Sequence, residues 1–219
     1  MAQQVAFIFA NGDVCDGPMV RRALQAWTAP AIIAADGGAR VAGYYGYRVD
    51  TIIGDMDSLT PQEINTQMAF GAELKRHPPE KDATDLELAL QFAVQNSYTA
   101  IRIIGGLGDR FDQTLANVYL LALPELSDVD VCIVAGKQEI RMLRPGDHII
   151  YGQPGDTLSL IPVGGDAVGI RTAHLYYPLD NETLTFGPAR GVSNVLRGEK
   201  ATISLRDGLL LCIHTLGRA

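Results

Sequence analysis

Aspartate is the residue whose placement in this chain most suggests chemistry. Ala34-Ala35-Asp36-Gly37-Gly38 closes one apolar, β-prone run, and Ile53-Gly54-Asp55-Met56-Asp57-Ser58 closes another. In an extended segment, side chains two residues apart point the same way, so Asp55 and Asp57 are expected to turn both carboxylates toward one cation. Lys81-Asp82-Ala83-Thr84-Asp85 opens a long amphipathic segment. Asp82 and Asp85 are expected on one side of its first helical turn, near the positive end of the helix dipole. Gly105-Gly106-Leu107-Gly108-Asp109-Arg110-Phe111-Asp112 follows a further strand-like run and leads into another helix. Its glycines let the backbone approach a phosphate closely, and Arg110 offers a two-pronged donor.

Each block has a plainer reading. Asp82 with Asp85, or Asp112 before Gln113-Thr114, can serve as helix caps. Gly37-Gly38 and Gly105-Gly106 can be strand-to-helix turns. Caps do not explain why Asp36, Asp55 and Asp57 gather at one sheet edge, where like charges repel unless a cation neutralises them. Hard oxygen ligands without clustered His or Cys favour Mg²⁺ over zinc. His77, His148, His174 and His214 stand alone and read as surface or satisfied core residues, and Trp27 reads as core. The chain has no Gly-x-x-x-x-Gly-Lys-Ser/Thr, and Gly106-Leu107-Gly108 lacks the third glycine of a dinucleotide fingerprint. A nucleotide would therefore be held through aspartate and magnesium, not through a P-loop.

The elements that must position these residues alternate along the first part of the chain. Val5–Phe9, Ala31–Ala35, Thr51–Ile53, Ile101–Ile104 and Val129–Val134 read as buried strands. Between them, Pro18–Trp27, Gly38–Gly46, Pro61–Gly71, Ala83–Asn96 and Asp112–Leu123 read as helices, with Leu86, Ala89, Leu90 and Ala93 forming one apolar stripe. This alternation is the pattern of a mostly parallel sheet flanked by helices, whose ligands bind beyond the carboxyl ends of the strands. After about residue 145 the pattern changes to short runs, Thr157–Ile161, Thr183–Phe186, Ala201–Leu205 and Leu209–His214, with Arg206-Asp207-Gly208 expected as a hairpin turn. The fold class is thus α/β, with an α/β domain over residues 1–144 and a smaller all-β domain over 145–219; Gln138–Leu143 fits either side of the boundary.

Composition agrees with an ordinary globular protein: 219 residues, 47% hydrophobic and 20% charged. A net charge of −7 provides no basic face for nucleic acid but suits metal ions. Cys15, Cys132 and Cys212 lie far apart and read as buried thiols. The start of the chain lacks the basic residues of a signal peptide, and Val5–Ala10 is too short to span a membrane, so a cytoplasmic protein with no membrane partner is expected.

Taken in order, Ala35-Asp36-Gly37-Gly38, Gly54-Asp55-Met56-Asp57-Ser58, Lys81-Asp82-Ala83-Thr84-Asp85-Leu86-Glu87-Leu88-Ala89-Leu90, Arg110-Phe111-Asp112-Gln113-Thr114-Leu115-Ala116-Asn117 and Gly191-Val192-Ser193-Asn194 resemble the thiamine pyrophosphokinase family over nearly the whole chain. The resemblance implies an α/β domain followed by a β-sandwich, in a homodimer with active sites at the subunit interface. It also implies transfer of the terminal pyrophosphoryl unit of ATP to the hydroxyl of thiamine, giving thiamine diphosphate and AMP. By carry-over, Asp55, Asp57, Asp82 and Asp85 would hold Mg²⁺ and the triphosphate, with Asp36, Gly37, Gly38, Gly105 and Gly106 nearby. Lys81, Thr84, Arg110 and Asp112 would line the phosphate and substrate cleft, and Ser193 and Asn194 would hold thiamine from the partner subunit. Asp82 or Asp112 would accept the hydroxyl proton.

Three positions depart from the family pattern. Many relatives carry His where this chain has Gln113, an acidic residue in place of Val195, and Gly in place of Asp109. Two other functions use the same residue types: a magnesium-dependent phosphohydrolase that activates water with these carboxylates, and a nucleotide- or thiamine-binding sensor without turnover.

Overall fold

The computed structural model describes residues 3–78, 80 and 82–218. The chain divides into two compact units, Met1–Gly136 and Lys137–Ala219.

The first unit alternates strand and helix: β1 (Val5–Phe9), α1 (Pro18–Gln25), β2 (Ala31–Ala35), α2 (Gly38–Tyr44), β3 (Thr51–Gly54), α3 (Pro61–Ala69), β4 (Glu73–Arg76), α4 (Asp85–Gln95), β5 (Ala100–Ile104), α5 (Phe111–Leu120), a 3₁₀ turn at Pro124–Leu126 and β6 (Asp130–Ala135). Its strands run in the order β4-β3-β2-β1-β5-β6 with every pairing parallel. β1 and β5 are buried at every residue, as strands covered on both faces must be, and the one charged side chain among them, Arg102, is paired with Asp130 at 2.6 Å. α2 and α4 lie against β1 and β2, and α1 against β6. Strand numbering ascends in opposite directions on either side of the β1–β5 pair. This is the topological switch point at which doubly wound sheets open a crevice.

Local chemistry sets the helix starts. Pro61 opens α3 with a preset φ, and Thr60 and Glu63 form a reciprocal capping box. At α4, the Thr84 side chain accepts from the N–H of Glu87 at 3.2 Å. The helix therefore begins at Asp85, and Asp82 lies in the segment before it rather than on its first turn. Thr84 takes the capping role that the sequence left open to Asp82. β4, Glu-Leu-Lys-Arg, gave no apolar signal because it is an edge strand with no residue fully buried.

The second unit is antiparallel throughout. It comprises β7 (Gln138–Leu143), β8 (Gly146–Tyr151), β9 (Thr157–Ala173), β10 (Asp180–Leu184), β11 (Asn194–Val195), β12 (Lys200–Leu205) and β13 (Asp207–Thr215). Gln138–Leu143 pairs with β13 along its whole length and so lies in this unit. The 17-residue β9 serves two sheets: its first part pairs with β13 and β11, its last part with β10 and β12, and β12 also pairs with β8. The strand changes direction at Gly164 and Gly165, both at positive φ (74° and 158°). Leu143, Leu160 and Leu210 from one layer meet Ile150, Leu184 and Ile203 from the other in a single buried cluster, the interior of a sandwich.

The expected hairpin at Arg206-Asp207-Gly208 is not one. β12 and β13 do not pair with each other among the described residues; each pairs with a different stretch of β9. The turn carries the chain from one layer to the other, because the bent strand between them is long enough to serve both.

Candidate active site

The carboxyl ends of β1, β2, β3 and β5 open into a cavity of about 530 Å³. It lies at the switch point, and its wall is built from four loops, the start of α4 and one face of α5.

Asp36 follows β2 directly and is almost fully buried. Its backbone is left-handed, at φ 45°, and its N–H extends the β2–β3 ladder by donating to the carbonyl of Ile53 at 2.9 Å. One carboxylate oxygen, Oδ2, accepts from the N–H of Ser58 at 3.1 Å, and the other, Oδ1, is buried without a hydrogen-bond partner. Burial raises its pKa above the usual carboxylate value; the Ser58 hydrogen bonds oppose the shift, and the charges of Asp85 and Asp57 add to it.

Asp55 and Asp57 reach the same place, although not through an extended segment. Met56 between them is left-handed, at φ 68°, with its side chain buried. The Asp57 N–H donates back to Asp55 Oδ1 at 3.1 Å, so the segment is a tight turn. The turn still converges the charges: oxygens of Asp36, Asp55 and Asp57 all lie within 4.8 Å of one another. Asp85, the first residue of α4, also lines the cavity. A Cβ on Gly54 would sit 2.9 Å from Asp85 Oδ1 and 3.0 Å from Asp36 Cβ, so β3 reaches the acidic group only because its last residue has no side chain.

The opposite wall comes from the loops after β1 and β5. These continue the parallel ladder past the strand ends: Ala10 N–H to Ile104 O, Gly12 N–H to Gly105 O and Asp13 N–H to Leu107 O, each at 2.8 Å. Gly105 has φ 71°, and a Cβ there would strike the carbonyl of Ala10. The α5 side chains then fix the glycine loop. Thr114 Oγ1 accepts from Gly108 N–H at 3.0 Å and donates to its carbonyl at 3.1 Å, and Asn117 Nδ2 donates to Gly106 O at 2.8 Å. Arg110 lines the cavity, and its guanidinium lies 2.6 Å from the carboxylate of Asp112 with both side chains largely exposed. That pairing holds the Asp112 carboxyl below the usual range, which disfavours it as a proton acceptor.

Of the candidate residues, Asp36, Asp55, Asp57, Thr84, Asp85, Gly106, Arg110 and Gln113 line this one cavity. Gly37 and Gly38 stand behind it at the start of α2; a Cβ on Gly38 would strike the carbonyl of Phe9, so that glycine serves helix–strand packing. Gly105 and Asp112 lie beside the lining, and Asp82 is exposed on the turn before α4, outside it. Lys81 lies outside the described residues. Ser193 and Asn194 belong to the second unit. The Ser193 N–H donates to Ser159 Oγ at 3.0 Å. The Asn194 amide accepts from Tyr177 N–H at 3.0 Å and donates to its carbonyl at 2.7 Å.

Asn11, Gly12 and Asp13 line the cavity without having been singled out in the sequence. The signal was present, since this polar triplet follows the first strand and the carboxyl-end rule that selected the other loops applies to it equally. Among the described residues, no helix is long and apolar enough to cross a membrane.

Comparison with known proteins agrees with this architecture in both units. Residues 24–133 match the family described as thiamin pyrophosphokinase, catalytic domain, and residues 147–210 match thiamin pyrophosphokinase, vitamin B1 binding domain. Thiamine pyrophosphokinase of Bacillus subtilis (strain 168) is 31% identical over 163 residues, covering 74% of this chain and 76% of that one. The crystal structure of thiamine pyrophosphokinase from Bacillus subtilis superposes with a TM-score of 0.85 over 97% of this chain and 99% of that one, at 28% identity. A thiamin pyrophosphokinase family protein from Enterococcus faecalis gives 0.84 at 26% identity, covering 97% and 99%. By sequence in both units and by fold over almost its whole length, this chain belongs to the thiamine pyrophosphokinase family.

Proposed function

We infer that the protein transfers the terminal pyrophosphoryl unit of ATP to the hydroxyl of thiamine, releasing thiamine diphosphate and AMP, with the switch-point cavity as its catalytic centre. The observation that carries this reading is the convergence of Asp36, Asp55 and Asp57 within 4.8 Å at a site open to ligand. Three carboxylates so close repel strongly, and Asp36 Oδ1 is buried without a partner. The donor set fits a hard divalent cation, Mg²⁺, held by Asp36, Asp55 and Asp57 with Asp85 beside them. When bound, such a cation neutralises phosphate charge and orients the polyphosphate for in-line attack.

The remaining work falls to this chain's own groups. The loops at Asn11–Asp13 and Gly106–Asp109 form the wall along which the polyphosphate would lie, their glycines allowing close approach of the backbone. Arg110 exchanges its exposed partner Asp112 for a phosphate oxygen at little cost, since solvent screens an ion pair of this kind. Thr84 and Asp85 present the start of α4, whose dipole favours anionic ligands. In the β unit, Ser193 and Asn194 lie within the stretch matching the vitamin B1 binding domain and are proposed to shape the thiamine site. Asn194 acts there through its two hydrogen bonds to the Tyr177 backbone.

The same reading extends to a homodimer with active sites at the subunit interface. Supporting it, α5 exposes Phe111, Leu115 and Tyr119 on one stripe directly after Arg110. Mass measurement in solution tests the dimer.

The activity is tested by mass spectrometry of products after mixing the protein with ATP, Mg²⁺ and thiamine. AMP and thiamine diphosphate in equal amounts are expected. Nucleotide hydrolysis without thiamine diphosphate would make the protein a phosphohydrolase, and unchanged substrates would make it a sensor.

A further inference from the structure

Ser58 hydrogen-bonds to two members of the acidic group. Its N–H donates to Asp36 Oδ2 at 3.1 Å and its hydroxyl to Asp57 Oδ1 at 3.1 Å. One residue thus fixes two of the three converging carboxylates. Its carbonyl is held in turn by Arg40, the third residue of α2, whose Nη2 donates to it at 2.8 Å.

Arg40 is itself held in place. Its Nε and Nη2 donate to the two oxygens of Glu63 at 2.5 and 2.8 Å, the two-pronged geometry that a lysine cannot reproduce. Glu63 Oε2 also accepts from the Thr60 N–H and hydroxyl, each at 2.8 Å, as part of the box that starts α3. A half-exposed ion pair would contribute little to stability by itself. What sets this one apart is its third bond, to a backbone carbonyl one residue from the carboxylates.

We propose that Arg40 is a positioning residue for the metal site, holding Ser58 so that Asp36 and Asp57 stay converged, with Glu63 fixing the guanidinium. The proposal rests on the reading of the acidic group as a cation site. Partners of this outer kind typically change metal affinity 10- to 100-fold.

The test is titration of the full-length protein with Mn²⁺ alone, free ion being followed by electron paramagnetic resonance, beside thermal melts of the metal-free proteins. Arg40→Ala is expected to weaken Mn²⁺ binding about tenfold while shifting the metal-free Tm only slightly. Arg40→Lys should recover little of the affinity, and Glu63→Gln should weaken binding in the same direction. In turnover assays, the Mg²⁺ requirement of Arg40→Ala should rise while its KM for thiamine stays unchanged. Asp57→Asn is the reference. If Asp57→Asn loses Mn²⁺ while Arg40→Ala and Glu63→Gln bind it normally, the Arg40 proposal fails and the cation site stands. If Asp57→Asn binds Mn²⁺ normally, both fail together. A loss of affinity that appears only alongside a large fall in metal-free Tm, in both Arg40→Ala and Glu63→Gln, would make the arginine structural and overturn the proposal.

Discussion

The carboxylate of Asp36 is divided in its bonding: Oδ2 takes the N–H of Ser58 at 3.1 Å, while Oδ1 is buried and has no hydrogen-bond partner. A buried oxygen without a partner carries a desolvation cost of about 1–3 kcal/mol, more when charged. The fold sustains that cost at the point where two further carboxylates arrive, an arrangement that makes sense for a group kept ready for a cation.

Replacing Asp36 by Asn should therefore separate stability from function. The metal-free protein should melt at a higher temperature, because a buried charge beside Asp57 and Asp85 is gone. The rise in Tm produced by millimolar Mg²⁺ in the native protein should be lost. Calorimetric scans with and without Mg²⁺ check both parts.

Asp57→Asn probes the cluster from its exposed side. The side chain is open to solvent, so the fold and metal-free Tm should be preserved. Turnover should fall by two or more orders of magnitude, about the effect of removing one charge aimed at a developing transition state. Steady-state kinetics at saturating ATP and thiamine measure it, and near-native turnover would remove Asp57 from the site.

In the β unit, Asn194→Ala removes the amide that closes two hydrogen bonds on the Tyr177 backbone. The KM for thiamine should rise more than the KM for ATP. Equal changes in the two would count against a thiamine site in this region.

A pH effect is expected at Asp156, which is buried and accepts from Gly217 N–H at 2.7 Å, Gln153 N–H at 2.9 Å and His214 Nε2 at 2.9 Å. Burial alone would raise its pKa, but the Gly217, Gln153 and His214 bonds together bring it below the usual value. A depressed carboxylate pKa contributes stability above the unfolded-state value, about 3.9, and loses it as pH falls through the lower folded-state value. Asp156→Asn should thus lower Tm at pH 7 by about 5 °C, equivalent to about 2 kcal/mol for a chain of this size. The gap to the native protein should close as the pH is taken below about 4. Melts across that range decide it.

The helical and buried-strand layout of the first unit was legible because those elements announce themselves by apolar runs. β1 and β2 begin and end where the runs Val5–Phe9 and Ala31–Ala35 do. β4 was silent because an edge strand of Glu, Leu, Lys and Arg needs no buried face. In the second unit, the run Thr157–Ile161 showed only the opening of β9, since its continuation passes through Gly164 and Gly165, which read as a break rather than a bend. At the site, residue types marked Asp36, Asp55 and Asp57 correctly as neighbours in space, yet the turn at Met56 that unites the latter two depends on a left-handed residue with no sequence signature. Arg40 gave no signal at all: its role depends on where the Ser58 carbonyl falls, which only the folded chain reveals.

The pairing of β7 with β13 bears on how the protein is made. Within the sandwich, the earliest strand pairs among the described residues with the latest one, 138–143 against 210–215. A nascent chain emerging from the ribosome therefore holds β7 and much of β9 with an open side until residue 215 is clear. Such widely separated pairing is slow to form and exposes sticky edges meanwhile. Synthesis of this half should depend on chaperone protection, and ribosome-bound chains halted short of β13 should be degraded readily by protease in the sandwich while the α/β unit resists.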